Sequence, residues 1–309
     1  MKIENMVKKC YEEHPFPDYP DSFNDFDSEF QKLVKWYSIV FKFLGFSKKY
    51  APKKILCAGC GTGEETIALS KLFPGSEIFA IDISTNSLKK AENLAKKMDV
   101  HNVEYMRMSI LAELPKLDKK FDLVLSAGVI HHLENPLQGF KNLAEKMEDE
   151  GDMVISLYST YGDFVYKLEV LSLDILAGKN IEKRKSWAEK LGFDKGTNKA
   201  SFSDYYLNPQ VKTYTIGEVR GFAKSSNLIL DSVVPPLFLD DAVEFGRKFQ
   251  GDSMSRKILY DFAVFFTGIL PKSRTRKGRI RKSSFLREKF FEFVYLVMDK
   301  GFFYYRIRK

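Results

Sequence analysis

Apolar residues change their spacing along this chain in a way that outlines most of its architecture. Beyond residue 53, five short apolar runs appear: Lys54–Ala58, Glu77–Ile81, Val103–Met108, Phe121–Ser126 and Met153–Leu157. Between them lie Glu64–Phe73, Ser87–Met98 and Pro136–Met147, where apolar residues recur at three- and four-residue spacing. The runs predict buried strands and the stretches between predict amphipathic helices. Alternation at this interval predicts an α/β fold of Rossmann-like type, a mostly parallel sheet with helices on both faces. The pattern resumes with a helix at Ile216–Ser226 and a strand at Leu228–Val234, and the apolar run Leu259–Gly268 is the candidate for a last strand.

Three regions depart from this alternation. Residues 1–50 read as a helical preface or lid. Its core is a predicted helix over Glu29–Leu44, with Phe30, Leu33, Val34, Tyr37, Val40 and Phe41 on one stripe and Gly45 as its stop. Before that helix, Pro15, Pro17 and Pro20 make the chain extended or turning. Residues 159–215 have helical pieces and no clear strand, and are placed as a substrate-recognition insertion within a domain spanning 51–270. Residues 271–309 carry thirteen Lys or Arg against three Asp or Glu, so the net charge of +8 belongs to this segment and the rest is near neutral. That distribution weakens any reading of the whole chain as a nucleic-acid binder.

The segment Ile55-Leu56-Cys57-Ala58-Gly59-Cys60-Gly61-Thr62-Gly63-Glu64-Glu65-Thr66 runs from a buried strand through three alternate glycines into a helix. Glycines let the backbone turn sharply and approach a ligand closely. A mononucleotide phosphate loop needs Lys followed by Ser or Thr after its last Gly, where Glu64-Glu65 stands here. A dinucleotide loop wants Gly or Ala where Thr66 stands, and its pyrophosphate would meet the same two acids. A ligand with a cationic centre and an ammonium group, such as S-adenosylmethionine, tolerates those charges. Nineteen residues beyond Gly63, Asp82 ends the second strand, at the place and distance for a carboxylate that accepts from both ribose hydroxyls. Ser84 already serves to cap the following helix.

Taken together, Ile55–Gly63, Ile78–Ser84, Phe121–Pro136 and Glu150–Tyr158 resemble the successive motifs of the class I S-adenosylmethionine-dependent methyltransferases, across roughly residues 50–160. The Pro-Phe-Pro segment at 15–17 and Ser203–Pro209 are similar to those of a bacterial and archaeal subgroup. The resemblance implies a seven-stranded sheet whose last strand is antiparallel. It implies a cofactor site at Gly59, Cys60, Gly61, Gly63, Asp82, Ile83, Ser109, Ile110, Ala127 and Gly128, with S-adenosylhomocysteine as product. Two positions depart from the family pattern: many members carry an acid where Cys57 stands, holding the methionine ammonium, and an Asp at Ser109, accepting from the adenine amino group.

Methyl transfer from a sulfonium needs the acceptor in line behind the methyl, stripped of water and with a free lone pair. The fourth strand runs into Ser126-Ala127-Gly128-Val129-Ile130-His131-His132, where open parallel sheets bind ligands. An imidazole there can take a proton, so His131 is the candidate base and His132 a candidate substrate contact. Tyr158, Tyr11 and Tyr205 are further candidate substrate contacts, each weighed against an ordinary buried aromatic. Ser126–Val129 lacks the Asn/Asp-Pro-Pro-aromatic run usual in adenine- and glutamine-directed enzymes, and the His-His-Leu pattern is commoner among small-molecule methyltransferases.

Cys57 and Cys60 form a C-x-x-C with no second ligand pair, so no metal site is expected and a buried pair is the plain reading. Few cysteines, no apolar leader and no apolar stretch of about 20 residues suggest a cytoplasmic enzyme. The expected activity is transfer of a methyl group to an O or N atom of a small molecule. Two alternatives stand beside it: an RNA or lipid-like acceptor recruited by 271–309, whose basic and aromatic residues suit a body-docking helix, a membrane surface or RNA, and a cofactor-binding partner protein without turnover.

Overall fold

A computed structural model of the chain describes residues 2–17, 26–161, 164–178, 180–193, 202–235, 289 and 302–309. Seven strands form one sheet: β1 Lys54–Ala58, β2 Glu77–Asp82, β3 Val103–Arg107, β4 Phe121–Ala127, β5 Met147–Tyr158, β6 Ile229–Val234 and β7 Phe302–Arg308. Their order is β3-β2-β1-β4-β5-β7-β6, with β7 antiparallel to both neighbours and the pairs from β3 to β5 parallel. The helices are α1 Lys2–Glu13, α2 Phe26–Phe43, α3 Glu64–Leu72, α4 Thr85–Lys97, α5 Pro136–Ala144, α6 Phe164–Ala177, α7 Ile181–Leu191 and α8 Ile216–Ser225. Among the described residues no helix is long and apolar enough to cross a membrane.

Period-two alternation divides the core. Leu56, Ala58, Phe79 and Ile81 join Phe140, Leu143, Ile216 and Val219 on one face, where α5 and α8 pack. Ile55, Cys57, Ile78 and Ala80 meet Tyr37, Val40, Phe43, Ala68 and Leu69 from α2 and α3 on the other. Both faces are therefore covered, as the near-continuous apolar runs require. Cys57 and Cys60 are buried in this second layer, and burial pushes both thiols well up from their ordinary range.

Two features differ from expectation. The strand expected at Leu259–Gly268 lies outside the described residues, and the antiparallel position beside β5 is filled by Phe302–Arg308. The end of the segment read as an appended basic extension is thus an inner strand of the sheet. Its aromatic helix face, Phe290 to Val297, lies outside the described residues. Helix α1 belongs to the helical preface expected over 1–50, ahead of the helix placed at Glu29–Leu44. Its spacing of Ile3, Val7 and Cys10 is the signal that supports it.

Candidate active site

The carboxyl ends of β1, β2 and β4 open onto one cavity, lined there by Gly59, Gly61, Asp82, Ile83, Ala127 and Gly128. The glycines earn their places sterically. Gly59 has φ +76, and a Cβ there would stand 2.3 Å from Val129 Cγ2. Gly61 has φ +52, and its Cβ would stand 2.5 Å from the Phe16 carbonyl oxygen. The carboxylate of Asp82 spans the loop: Oδ2 accepts from Gly61 N at 2.9 Å and Oδ1 from Ser84 N at 2.8 Å. Burial raises the Asp82 pKa, while these backbone donors pull it back. A carboxylate has about four acceptor sites, so Asp82 keeps capacity for a ligand's hydroxyls. The glycine cradle and this spare capacity fit a nucleoside bound against the loop.

Gly61→Ala is expected to cost about 1–3 kcal/mol, because the strained φ is joined by a clash with backbone that cannot swing aside. A denaturant midpoint indistinguishable from that of the unaltered protein would show that the loop yields freely.

Helix α1 closes the cavity from above, with Glu4, Val7 and Tyr11 facing in. Its seat is well defined. The Glu12 carboxylate accepts from Thr85 N at 2.8 Å and Asn86 N at 2.9 Å, satisfying donors that the start of α4 leaves open. Beyond α1, the Phe16 carbonyl accepts from Thr62 N at 3.2 Å and the Pro17 carbonyl from Thr62 Oγ1 at 2.7 Å. The preface therefore locks onto the glycine loop itself.

At the far end lies a polar cluster built from four segments. Asp204, in a π-helical turn over Ser203–Leu207, is 5% exposed. Its Oδ1 accepts from the Tyr11 hydroxyl at 2.6 Å and its Oδ2 from the Tyr158 hydroxyl at 3.3 Å. Asn208 Nδ2 donates to the Tyr11 hydroxyl at 3.0 Å. Burial, then the Asp204 carboxylate, hold the Tyr11 phenol protonated. The Nδ1 of His132 meets the Gln210 carbonyl at 2.8 Å, which can only accept, so Nδ1 carries the hydrogen. Nε2 of His132 then faces Asp204 Oδ1 at 3.5 Å. His132, Tyr11, Tyr158 and Asp204 all line the cavity.

The other sequence candidates are placed differently. His131 does not line the cavity. It is fully buried between the His132 and Tyr158 rings, with centroids at 4.1 and 4.5 Å, and burial pushes its pKa well below the usual value. Cys60 is sealed in the core. Gly63 caps α3, where a Cβ would meet Ala91 Cβ at 2.9 Å. Ser109 was expected to accept from the ligand, but its Oγ already accepts from Leu111 N and Ala112 N and donates to Glu4. The carboxylate facing the cavity at that end is Glu4. Ile110 lines the cavity, and the side chain of Tyr205 lies outside the described residues. Sequence reasoning missed Glu4 and the central role of Asp204. Asp204 stood out in the sequence only as part of the Asp204–Tyr206 cluster, with no role of its own.

Residues 51–202 match the family described as "Methyltransferase domain". An uncharacterised protein of Synechococcus sp. is 26% identical over 248 residues, 73% of this chain and 59% of that protein. A malonyl-[acyl-carrier protein] O-methyltransferase of Bacillus cereus is 35% identical over 109 residues, 35% of this chain and 38% of that enzyme. The chain thus spans less than two thirds of either relative. Its fold matches that of PKMT2 from Rickettsia typhi, with TM-score 0.56 at 14% identity over 94% of this chain and 55% of that one. The same protein in complex with S-adenosylhomocysteine gives a TM-score of 0.52 at 14% identity, over 89% of this chain and 52% of that one. Sheet order, glycine loop and family match together make residues 51–202 a methyltransferase domain, with the fold of the class I S-adenosylmethionine-dependent methyltransferases.

Proposed function

We propose that the protein transfers a methyl group from S-adenosylmethionine to an O or N atom of a small molecule, seated against His132, Asp204, Tyr11 and Tyr158. The observation that carries this reading is the buried polar cluster facing the same cavity as the glycine loop and Asp82. The cofactor supplies an electrophilic methyl. The chain's residues orient the acceptor, exclude water and take its proton. Because Nδ1 of His132 donates to the Gln210 carbonyl, its Nε2 lone pair is free to accept a proton from an acceptor O–H or N–H. Asp204, 3.5 Å away, then stabilises the imidazolium. The base role expected of His131 passes in this reading to His132.

Charge supports an acceptor that is neutral or cationic where it reacts. The cavity lining includes Glu4, Glu64, Glu65, Asp82, Glu134 and Asp204, and no Lys or Arg among the described residues. The Bacillus cereus relative is named for O-methylation of malonyl-[acyl-carrier protein]. An anionic acceptor would meet repulsion from Asp204 here.

The test is S-adenosylhomocysteine formation with a panel of small amines, alcohols and matched carboxylic acids. Turnover is expected with members of the first two groups. His132→Gln should lower it by about 10²–10⁴-fold while S-adenosylhomocysteine still binds. Transfer to the carboxylic acids alone would overturn the acceptor reading and leave methyl transfer standing.

A further inference from the structure

His132 lines the cavity with a side chain 4% exposed, and its Nε2 is buried without a hydrogen-bond partner among the described residues. Because Nδ1 carries the ring hydrogen toward the Gln210 carbonyl, Nε2 presents a lone pair. Asp204 Oδ1, 3.5 Å away, is itself an acceptor. Two facing acceptors leave each other unsatisfied, which is costly where both are buried. The neighbouring donors are spent elsewhere. The Tyr11 and Tyr158 hydroxyls give their hydrogens to Asp204, and Asn208 Nδ2 is turned to the Tyr11 oxygen. Those two phenols fill two of the roughly four acceptor sites on the carboxylate. No Lys or Arg lines the cavity among the described residues. This corner therefore offers lone pairs to a ligand that brings its own hydrogens.

A hydrogen count separates the ligands it can hold. An alcohol brings a single O–H and satisfies one of the two acceptors. A primary amine, as its ammonium, brings three N–H groups and satisfies both, while its charge strengthens the bond to Asp204. A tertiary ammonium brings only one. Within the methyl-transfer reading above, on which this rests, we propose that the preferred acceptor is a primary amine whose nitrogen bridges His132 Nε2 and Asp204 Oδ1. The ammonium gives one proton to Nε2, exposing its lone pair, while a second N–H stays on Asp204. That lone pair forms the bond to the methyl carbon, and the electron pair of the breaking carbon–sulfur bond remains on sulfur. The products are the N-methylammonium and S-adenosylhomocysteine, and the proton on His132 passes to solvent.

The test is calorimetric titration of the full chain, saturated with S-adenosylhomocysteine, with probes of one shape: benzylamine, N,N-dimethylbenzylamine and benzyl alcohol. Benzylamine should bind about tenfold or more tighter than either of the others. Asp204→Asn removes the charge and can offer its own N–H to Nε2, so it should abolish that preference while S-adenosylhomocysteine still binds. Benzyl alcohol or the dimethyl amine bound as tightly as benzylamine would overturn the amine bridge. So would a preference untouched by Asp204→Asn, or no probe bound by a chain that does bind S-adenosylhomocysteine. Each of these leaves methyl transfer standing. If the chain does not bind S-adenosylhomocysteine, the cofactor reading itself fails and the bridge fails with it.

Discussion

Replacing Arg306 by Ala is expected to remove about 3–5 kcal/mol of folding stability, the cost of stranding one partner of a buried ion pair. Arg306 sits on β7 at 7% exposure, and Asp152, its partner on β5, is 3% exposed. The pairing is bidentate, with Nε 2.7 Å from Oδ1 and Nη2 3.1 Å from Oδ2. Nη1 donates to the Leu44 carbonyl at 3.2 Å, and the guanidinium lies 3.8 Å from the Phe46 ring centroid. One group therefore ties β7, β5 and the end of α2 together. Arg308, with Nε 3.3 Å from Asp152 Oδ1, is 37% exposed at its side chain and offsets only part of the loss. Urea or guanidinium unfolding measures the effect. A loss below about 1 kcal/mol would mean that the pair behaves as an exposed one. Replacing both partners, as Arg306→Met with Asp152→Leu, should recover much of the difference, because no charge is then left buried alone.

The same residue explains why the sheet's last strand was hard to read. Phe302–Arg308 holds two arginines and ends a strongly basic stretch, so its charge suggested a solvated tail. Leu259–Gly268 is more apolar and looked the better strand. Yet Phe303, Tyr305 and Ile307 alternate and are fully buried, a period-two signal present in the residues themselves. Hydropathy cannot tell a basic side chain with a buried partner from one in water, because the partner, Asp152, is 154 residues away. The other strands were legible because each is a short apolar run between turns, and their order follows from right-handed crossovers.

The site divides along the same line. Gly59, Gly61 and Asp82 belong to one strand–loop–helix–strand unit, so their roles depend on local spacing. The acceptor end does not. Tyr11, His132, Tyr158 and Asp204 meet only after α1 crosses the sheet's carboxyl edge and the segment after α7 returns beneath it. Of the adjacent histidines, sequence gave no ground for ranking the second first. The 3₁₀ turn over Ile130–His132 decides it, burying one ring and turning the next to the cavity. Ser109 shows the reverse case, where a residue of suitable chemistry is spent on its own loop and on Glu4.

Asp82→Asn is expected to weaken S-adenosylhomocysteine binding by about 10–100-fold, the worth of hydrogen bonds to a charged acceptor. The carboxylate has two duties: it accepts from Gly61 N and Ser84 N, and it offers its remaining lone pairs to the cavity. An amide keeps one acceptor oxygen and turns an NH₂ group toward one of those backbone donors, so some of the loss could come from the loop alone. Ligands separate the two contributions. 5′-Methylthioadenosine, which keeps adenine, ribose and sulfide but has no amino-acid end, should lose affinity by a similar factor. Its 2′,3′-dideoxy form lacks those hydroxyls. It should bind the unaltered protein weakly and the Asp82→Asn variant about equally weakly, since the interaction the variant removes is already missing. If the dideoxy ligand suffers the full loss on substitution, Asp82 serves the cofactor only by holding the glycine loop. If it suffers none, the carboxylate contacts the ribose directly, and the adenosine end of the cofactor is oriented by the end of β2.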